Sequence, residues 1–201
     1  MKRILSLLCL ALLTLPSLRA AELTPVELGR ATDHLAKSSA AFQASIAGLS
    51  DAQLNFKSDP SRWSVAEAAE HIAASEDFLM GMITTQVMTA PARATEANLA
   101  ELDAKVLGAI ADRTNKVKAP EPLAPNNRFG STAASRTHFA ASRAKTVAFL
   151  NSTKGLRDHA IDSPLGQPLD AYQWVLFISA HTDRHTKQID EVKADANFPK
   201  S

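Results

Sequence analysis

The sequence predicts an all-α protein, a helical bundle that follows an export signal. Composition, apolar stripes at helical spacing and well-marked helix ends lead to this prediction. Apolar residues make up 45% of the 201-residue chain, whereas aromatic residues make up only 5%. Such a chain, rich in alanine and leucine, suits helices that pack closely on small side chains. No stretch shows the alternation that is typical of half-buried strands.

The first twenty residues have the three parts of a secretory signal peptide. These parts are a basic start at Met1–Arg3, an apolar run at Ile4–Leu15 and small residues for cleavage at Pro16–Ala21. We predict a signal peptide at 1–20 and a helical domain at 21–201, with cleavage after Ala21 as the alternative. The apolar run is short for a bilayer span, so an uncleaved anchor is the less favoured reading. The protein is expected to be periplasmic or secreted, with no stable membrane anchor after cleavage.

Charge and cysteine content argue against two kinds of function, chemistry at a cysteine thiol and nucleic acid binding. The only cysteine, Cys9, lies in the signal peptide. The mature chain therefore has no thiol for a disulfide, a nucleophile or a metal site. Loss of Lys2, Arg3 and Arg19 leaves 19 basic and 21 acidic residues, a net charge of −2. Because the mature chain is mildly acidic and has no run of basic residues, no nucleic acid partner is expected.

Capping residues and loops divide the mature chain into five helical segments. Thr24 before Pro25 and the capping-box pattern Ser64–Glu67 mark two of the helix starts. Proline- and glycine-containing stretches at 119–130 and 162–168 mark two loops. The predicted helices cover about Pro25–Leu49, Ser64–Met88, Glu96–Val117, Ser131–Asn151 and Leu169–Ala194.

His181 and His185 are the strongest functional signal. An i,i+4 pair projects two imidazoles from one helix face, where both can bind the same metal ion. The pair continues the apolar stripe of Trp174, Ile178 and Ile189, so both rings are predicted to point inward. The alternative is two core histidines that hydrogen-bond to their neighbours.

His71 lies on a similar apolar stripe in the second helix, and alone it would be read as a core histidine. Together with His181 and His185 it would form a three-nitrogen site with open coordination positions. Such a site suits Zn, Ni or Fe(II) and admits water or substrate. Spacing alone does not show that the two helices face each other.

Two motifs resemble the DinB-like, YfiT-related superfamily. The segment Arg62–Ile72 (RWSVAEAAEHI) is similar to the start of that family's second helix, which carries its first metal histidine. The segment His181–Ile189 (HTDRHTKQI) resembles its last helix, with a histidine pair followed by Gln-Ile. Gly166–Leu169 resembles the usual start of that helix. The resemblance spans about Glu22–Lys193.

The resemblance implies an up-down-down-up four-helix bundle with a three-histidine divalent metal site at His71, His181 and His185. The segment near Glu96–Val117 would be an additional helix. Some relatives are thiol-dependent transferases, so the resemblance implies a small-molecule or thiol substrate. It also implies a homodimer.

Three functions follow, in order of preference. The first is a protein that binds one divalent metal without an established activity. The second is a metal-dependent transferase, thiol-dependent or not, or a hydrolase. The third is a metal-free bundle. Glu67 and Glu70 are candidate partners for histidine N–H groups, or else surface charges. Trp63 is predicted to fill the core at the helix start.

Overall fold

The computed structural model describes residues 22–92 and 98–200. The predicted signal peptide at 1–20 and the predicted helix start at Glu96 lie outside the described residues. The helices are α1 (Pro25–Ser45), α2 (Asp51–Asn55), α3 (Val65–Met82), α4 (Leu99–Ala111), α5 (Thr132–Ser152) and α6 (Ala171–Lys193). A π-helical turn, Ile83–Val87, continues α3, and a 3₁₀ turn covers Glu121–Leu123. Strands β1 (Ala160–Asp162) and β2 (Pro168–Asp170) pair antiparallel.

The four long helices α1, α3, α5 and α6 form an up-down-down-up bundle, as the family resemblance implies. Tyr172 at the start of α6 donates to the Glu27 carbonyl, and Lys193 at its end donates to the Ser45 carbonyl. Helices α1 and α6 are therefore parallel. Helix α3 is antiparallel to α6. Helix α5 is parallel to α3, as the contacts of Asp77 with Ser142 and of Glu70 with the loop before α5 indicate.

Helix α4 is the additional segment, and it lies in the connection between α3 and α5. It packs along α6, where Asp103 accepts from Gln173 near one end and the Ala111 carbonyl accepts from Lys187 near the other. Two parallel helices cannot be joined by a tight turn, so the chain must return along the bundle. Helix α4 and the 112–131 loop make that return.

Local chemistry explains the helix ends. Ser64 and Glu67 form the predicted capping box, and Thr24 and Glu27 form another at the start of α1. Helix α1 is shorter than the prediction to Leu49, because Gly48 adopts a φ of +71°. A short helix, α2, then follows between the first two helices that the sequence predicts. Its capping box of Ser50 and Gln53 was overlooked in the sequence.

A small two-stranded hairpin, which the sequence does not predict, accompanies the helices. Each strand has three residues, too few for an alternating pattern to be recognised. The hairpin ends at Asp170, whose side chain caps α6. The hairpin therefore sets where α6 begins, at Ala171 rather than at the predicted Leu169. Across residues 22–92 and 98–200, no helix combines the length and the apolar character that crossing a bilayer requires.

A buried ion pair joins the four helices of the bundle. Arg143 of α5 binds Glu76 of α3 with two parallel hydrogen bonds of 2.8 Å. The same guanidinium donates to the Leu35 carbonyl and Ser38 hydroxyl of α1 and to the Thr182 hydroxyl of α6. Arg143 is 5% exposed and Glu76 is 1% exposed. Every helix of the bundle thus contacts one guanidinium.

Replacing Arg143 with leucine leaves the Glu76 carboxylate buried without its partner. We expect Arg143→Leu to lower the free energy of unfolding by about 3–5 kcal/mol, the usual cost of breaking a buried pair. Urea denaturation followed by circular dichroism measures this change.

Lys37→Leu is the matched control, because it removes one member of the exposed pair between Lys37 and Asp33. It should leave the urea midpoint nearly unchanged. Equal midpoints for the two variants would show that the buried pair does not hold the helices together.

Candidate metal centre

Three imidazoles from two helices meet inside the bundle. His71 comes from α3, and His181 and His185 come from α6. The ring centroids of His71 lie 5.0 Å from His181 and 4.3 Å from His185, and the latter two rings are 4.5 Å apart. One ring nitrogen of each residue lies within 4.8 Å of the other two. The structure therefore brings together all three residues predicted from the sequence, with their helices facing each other.

Hydrogen bonds orient two of the three rings. Nδ1 of His71 lies 2.9 Å from the Leu123 carbonyl, and Nδ1 of His185 lies 2.8 Å from Oε1 of Gln188. A carbonyl oxygen can only accept, so each Nδ1 carries the proton and each Nε2 is unprotonated. This arrangement turns the free nitrogens of the two rings toward the cluster, as is usual for metal-binding histidines.

Glu70 holds the loop that supplies the Leu123 carbonyl. Its carboxylate accepts the backbone N–H groups of Asn126, Asn127 and Arg128 at 2.9–3.1 Å. Partial burial alone would raise the pKa of Glu70, but these hydrogen bonds outweigh it and lower the pKa. Glu70 therefore acts on His71 through the loop, and it is neither a direct partner of the imidazole nor a surface charge, the two readings that the sequence left open.

All three imidazoles are held in the neutral form. Burial lowers the pKa of His185 to about 3, with the neighbouring His71 adding to the effect. Burial also lowers the pKa of His71, and it lowers that of His181 well below its ordinary value with help from the other two rings. Neutral imidazole is the form that binds a metal ion, so little proton competition is expected at neutral pH.

The donor set fits a divalent metal. The Nε2 atoms of His71 and His181 are 3.3 Å apart. Two nitrogen ligands at about 2.0–2.1 Å from a tetrahedral Zn²⁺ lie roughly 3.3–3.4 Å from each other. The spacing of these two atoms therefore matches that of ligands to one ion, and three nitrogens leave room for further ligands.

A cavity of about 820 Å³ opens beside the three imidazoles, and all three line it. Trp63 forms part of its wall, with its ring 4.7 Å from that of His71 and 5.9 Å from that of His185. The prediction that Trp63 fills the core is therefore incomplete, because the ring is half-buried and borders the site. A cavity of this size is typical of small-molecule sites.

The remaining polar candidates lie elsewhere. Glu67 caps α3 and pairs with Lys57. His138 forms a surface pair with Asp77. Among the groups that contact the site, sequence reasoning missed the Leu123 carbonyl, since a backbone atom leaves no trace in residue type. The one available signal was Glu70, an acid on the same stretch of helix as His71.

Comparison with known proteins gives three concordant results. A sequence model of the DinB superfamily matches residues 34–189, more than half of the chain. The uncharacterized protein YuaE of Bacillus subtilis (strain 168) is 31% identical over 147 residues, which are 73% of this chain and 86% of YuaE.

Among solved structures, the chain is similar to YfiT from Bacillus subtilis, described as a probable metal-dependent hydrolase with an unusual four-helix bundle topology. The TM-score is 0.53 at 13% identity, and the match covers 87% of this chain and 90% of YfiT. At this identity the likeness establishes the shared fold.

Removing the negative charge of Glu70 should release the loop and, through it, the ring of His71. In Glu70→Gln we expect faster amide hydrogen exchange at 120–128 and a smaller population of the Nδ1–H tautomer of His71. Amide exchange by mass spectrometry and ¹⁵N–¹H correlation of the imidazole report these two changes.

Glu67→Gln is the control, because glutamine can still complete the capping box of α3. It should alter neither observable. If Glu70→Gln behaved like this control, the loop would be held by other contacts.

Proposed function

The chain belongs to the DinB superfamily, and from this we propose that it binds one divalent cation through His71, His181 and His185. The observation that carries the proposal is the convergence of three neutral imidazoles whose nitrogens lie within 4.8 Å of one another. Imidazole donors favour Zn, Ni or Fe(II) over magnesium or calcium.

The second part of the proposal is catalysis at the bound metal. The cavity beside the imidazoles supports catalysis more than it supports metal binding without turnover. A cation held only for storage or stability does not need a cavity of about 820 Å³ beside it. The fold shared with YfiT, described as a probable metal-dependent hydrolase, adds support for a hydrolase. When bound, a divalent cation supplies Lewis-acid polarisation of a substrate carbonyl or phosphoryl group and acidifies water.

The protein's own residues would hold and shield the reacting groups. The Leu123 carbonyl and Gln188 fix the rings of His71 and His185. Trp63 covers two of the imidazoles and limits the access of bulk water from its side. The Ser75 hydroxyl lies 3.5 Å from Nε2 of His71 and also borders the cavity, where it can hydrogen-bond to a bound molecule.

Two further parts of the proposal rest on the sequence. Export to the periplasm or the medium is supported by the signal-peptide pattern of Met1–Ala20. A thiol substrate and a homodimer are supported by the family resemblance alone. Hydrolysis does not require a thiol, so the two enzymatic readings differ in whether a low-molecular-weight thiol is consumed.

Metal content tests the proposal directly. Mass spectrometry of the untagged protein should find about one equivalent of divalent metal per chain and little in His71→Ala or His181→Ala. His138→Ala is the control, because it removes a surface histidine outside the cluster, and it should keep its metal. The intact mass of the same sample reports whether the chain begins after Ala20.

The metal-loaded protein then separates the two enzymatic readings. Metal-dependent cleavage of chromogenic esters without added thiol would indicate a hydrolase, and loss of free thiol with an electrophilic aryl halide would indicate a transferase. Absence of metal after incubation with Zn, Ni, Mn and Fe(II) would instead leave a metal-free bundle and contradict the proposal.

A further inference from the structure

The cavity beside the imidazoles has chemically different ends. Because α3 and α6 are antiparallel, residues after His71 and residues before His181 lie toward the same end. These residues are Phe78, Leu79, Met82, Trp174 and Phe177. Residues on the far side of the imidazoles, along α6 and in the 112–118 segment, are mainly basic.

The apolar end is open to a ligand. Phe78 is 46% exposed there, although large apolar side chains are usually covered. Trp174 is only 3% exposed and also lines the cavity, yet its indole N–H has no acceptor among the described residues.

The basic end has more positive charge than its neighbours neutralise. Arg113 and Arg62 share one carboxylate, that of Glu191. Lys116 and Lys118 are exposed and have no ion pair within the described part of the chain. Arg184 donates to the Asn115 carbonyl, and the acids near enough to act on its charge are Asp112 and Glu191.

The acidic residue of the cavity lining, Asp162, lies in the hairpin before α6, at the apolar end. The basic side chains of the cavity lining therefore lie on one side of the imidazoles.

We propose that the cavity binds a small amphipathic anion, with its charged group beside Arg184 and Lys116 and its apolar body toward Phe78 and Trp174. A helix rises about 1.5 Å per residue, so Arg184 is roughly 5 Å and Trp174 roughly 10 Å from His181 along α6. The anionic group thus lies next to the imidazoles and the apolar body extends away from them. This inference rests on the proposed function, since it names the substrate class of the same site.

Two fluorescent probes test the inference with matched shapes. 8-Anilinonaphthalene-1-sulfonate is an aromatic amine with a sulfonate, and N-phenyl-1-naphthylamine is the same amine without it. The untagged protein should bind the sulfonate probe about tenfold more tightly, as expected for hydrogen bonds to a charged group. The preference should persist after the metal is removed with a chelator, because it arises from the basic side chains.

Variants at the basic and apolar ends of the cavity test which side chains cause the preference for the sulfonate probe. Arg184→Gln combined with Lys116→Gln should abolish the tenfold preference and leave binding of the neutral probe unchanged. Lys37→Gln combined with Lys145→Gln removes two exposed charges outside the cavity and should keep the preference. Phe78→Ala should weaken binding of both probes.

The outcomes separate this inference from the proposed function. Equal affinity for the two probes, or a preference that disappears with the metal, would overturn the inference while the metal content still supported the metal site. If the protein sediments as a dimer that excludes both probes, a second copy covers the cavity and the inference is wrong. Loss of metal in His181→Ala is measured separately, so failure of the metal proposal is recognised independently.

Discussion

The buried pair of Arg143 and Glu76 is the constraint on which the site depends. Desolvating two charges is costly, and the cost is offset only if their remaining hydrogen bonds are satisfied in one arrangement. Here the partners come from all four helices of the bundle. Glu76 lies five residues after His71, and Thr182 follows His181 directly. The hydrogen bonds that set the register of α3 against α6 therefore also set where the imidazoles meet.

Glu70 connects helix α3 of the bundle to the loop before α5. Glu70 collects three consecutive backbone N–H groups, and the loop that it anchors places one carbonyl on the ring of His71. Burial then keeps the rings neutral, because an imidazolium cation would lose its hydration. Helix packing, the loop conformation and the neutral protonation state thus favour the same arrangement, in which the three imidazoles meet beside a cavity with unprotonated nitrogens available.

Much of this could be predicted because it depends on residue type and spacing. The positions of His181 and His185 on an apolar stripe indicate inward-pointing rings, and Ser64 with Glu67 marks the start of α3. That His71 faces the pair is a tertiary fact, and only the family resemblance anticipated it. The hairpin was missed because three-residue strands have too little periodicity. The indirect role of Glu70 was missed because it acts through backbone groups.

The topology has a consequence for how such a protein can change over evolution. Two adjacent parallel helices require a long connection, and here that connection carries Arg113, Lys116 and Leu123, all of which line the cavity. The three histidines belong to α3 and α6 instead. Part of the cavity lining is therefore encoded apart from the three histidines, in the stretch between α4 and α5. Substitution of Arg113 or Lys116 can alter the lining of the cavity, whereas Leu123 and residues 126–128 must keep their backbone positions to hold the ring of His71.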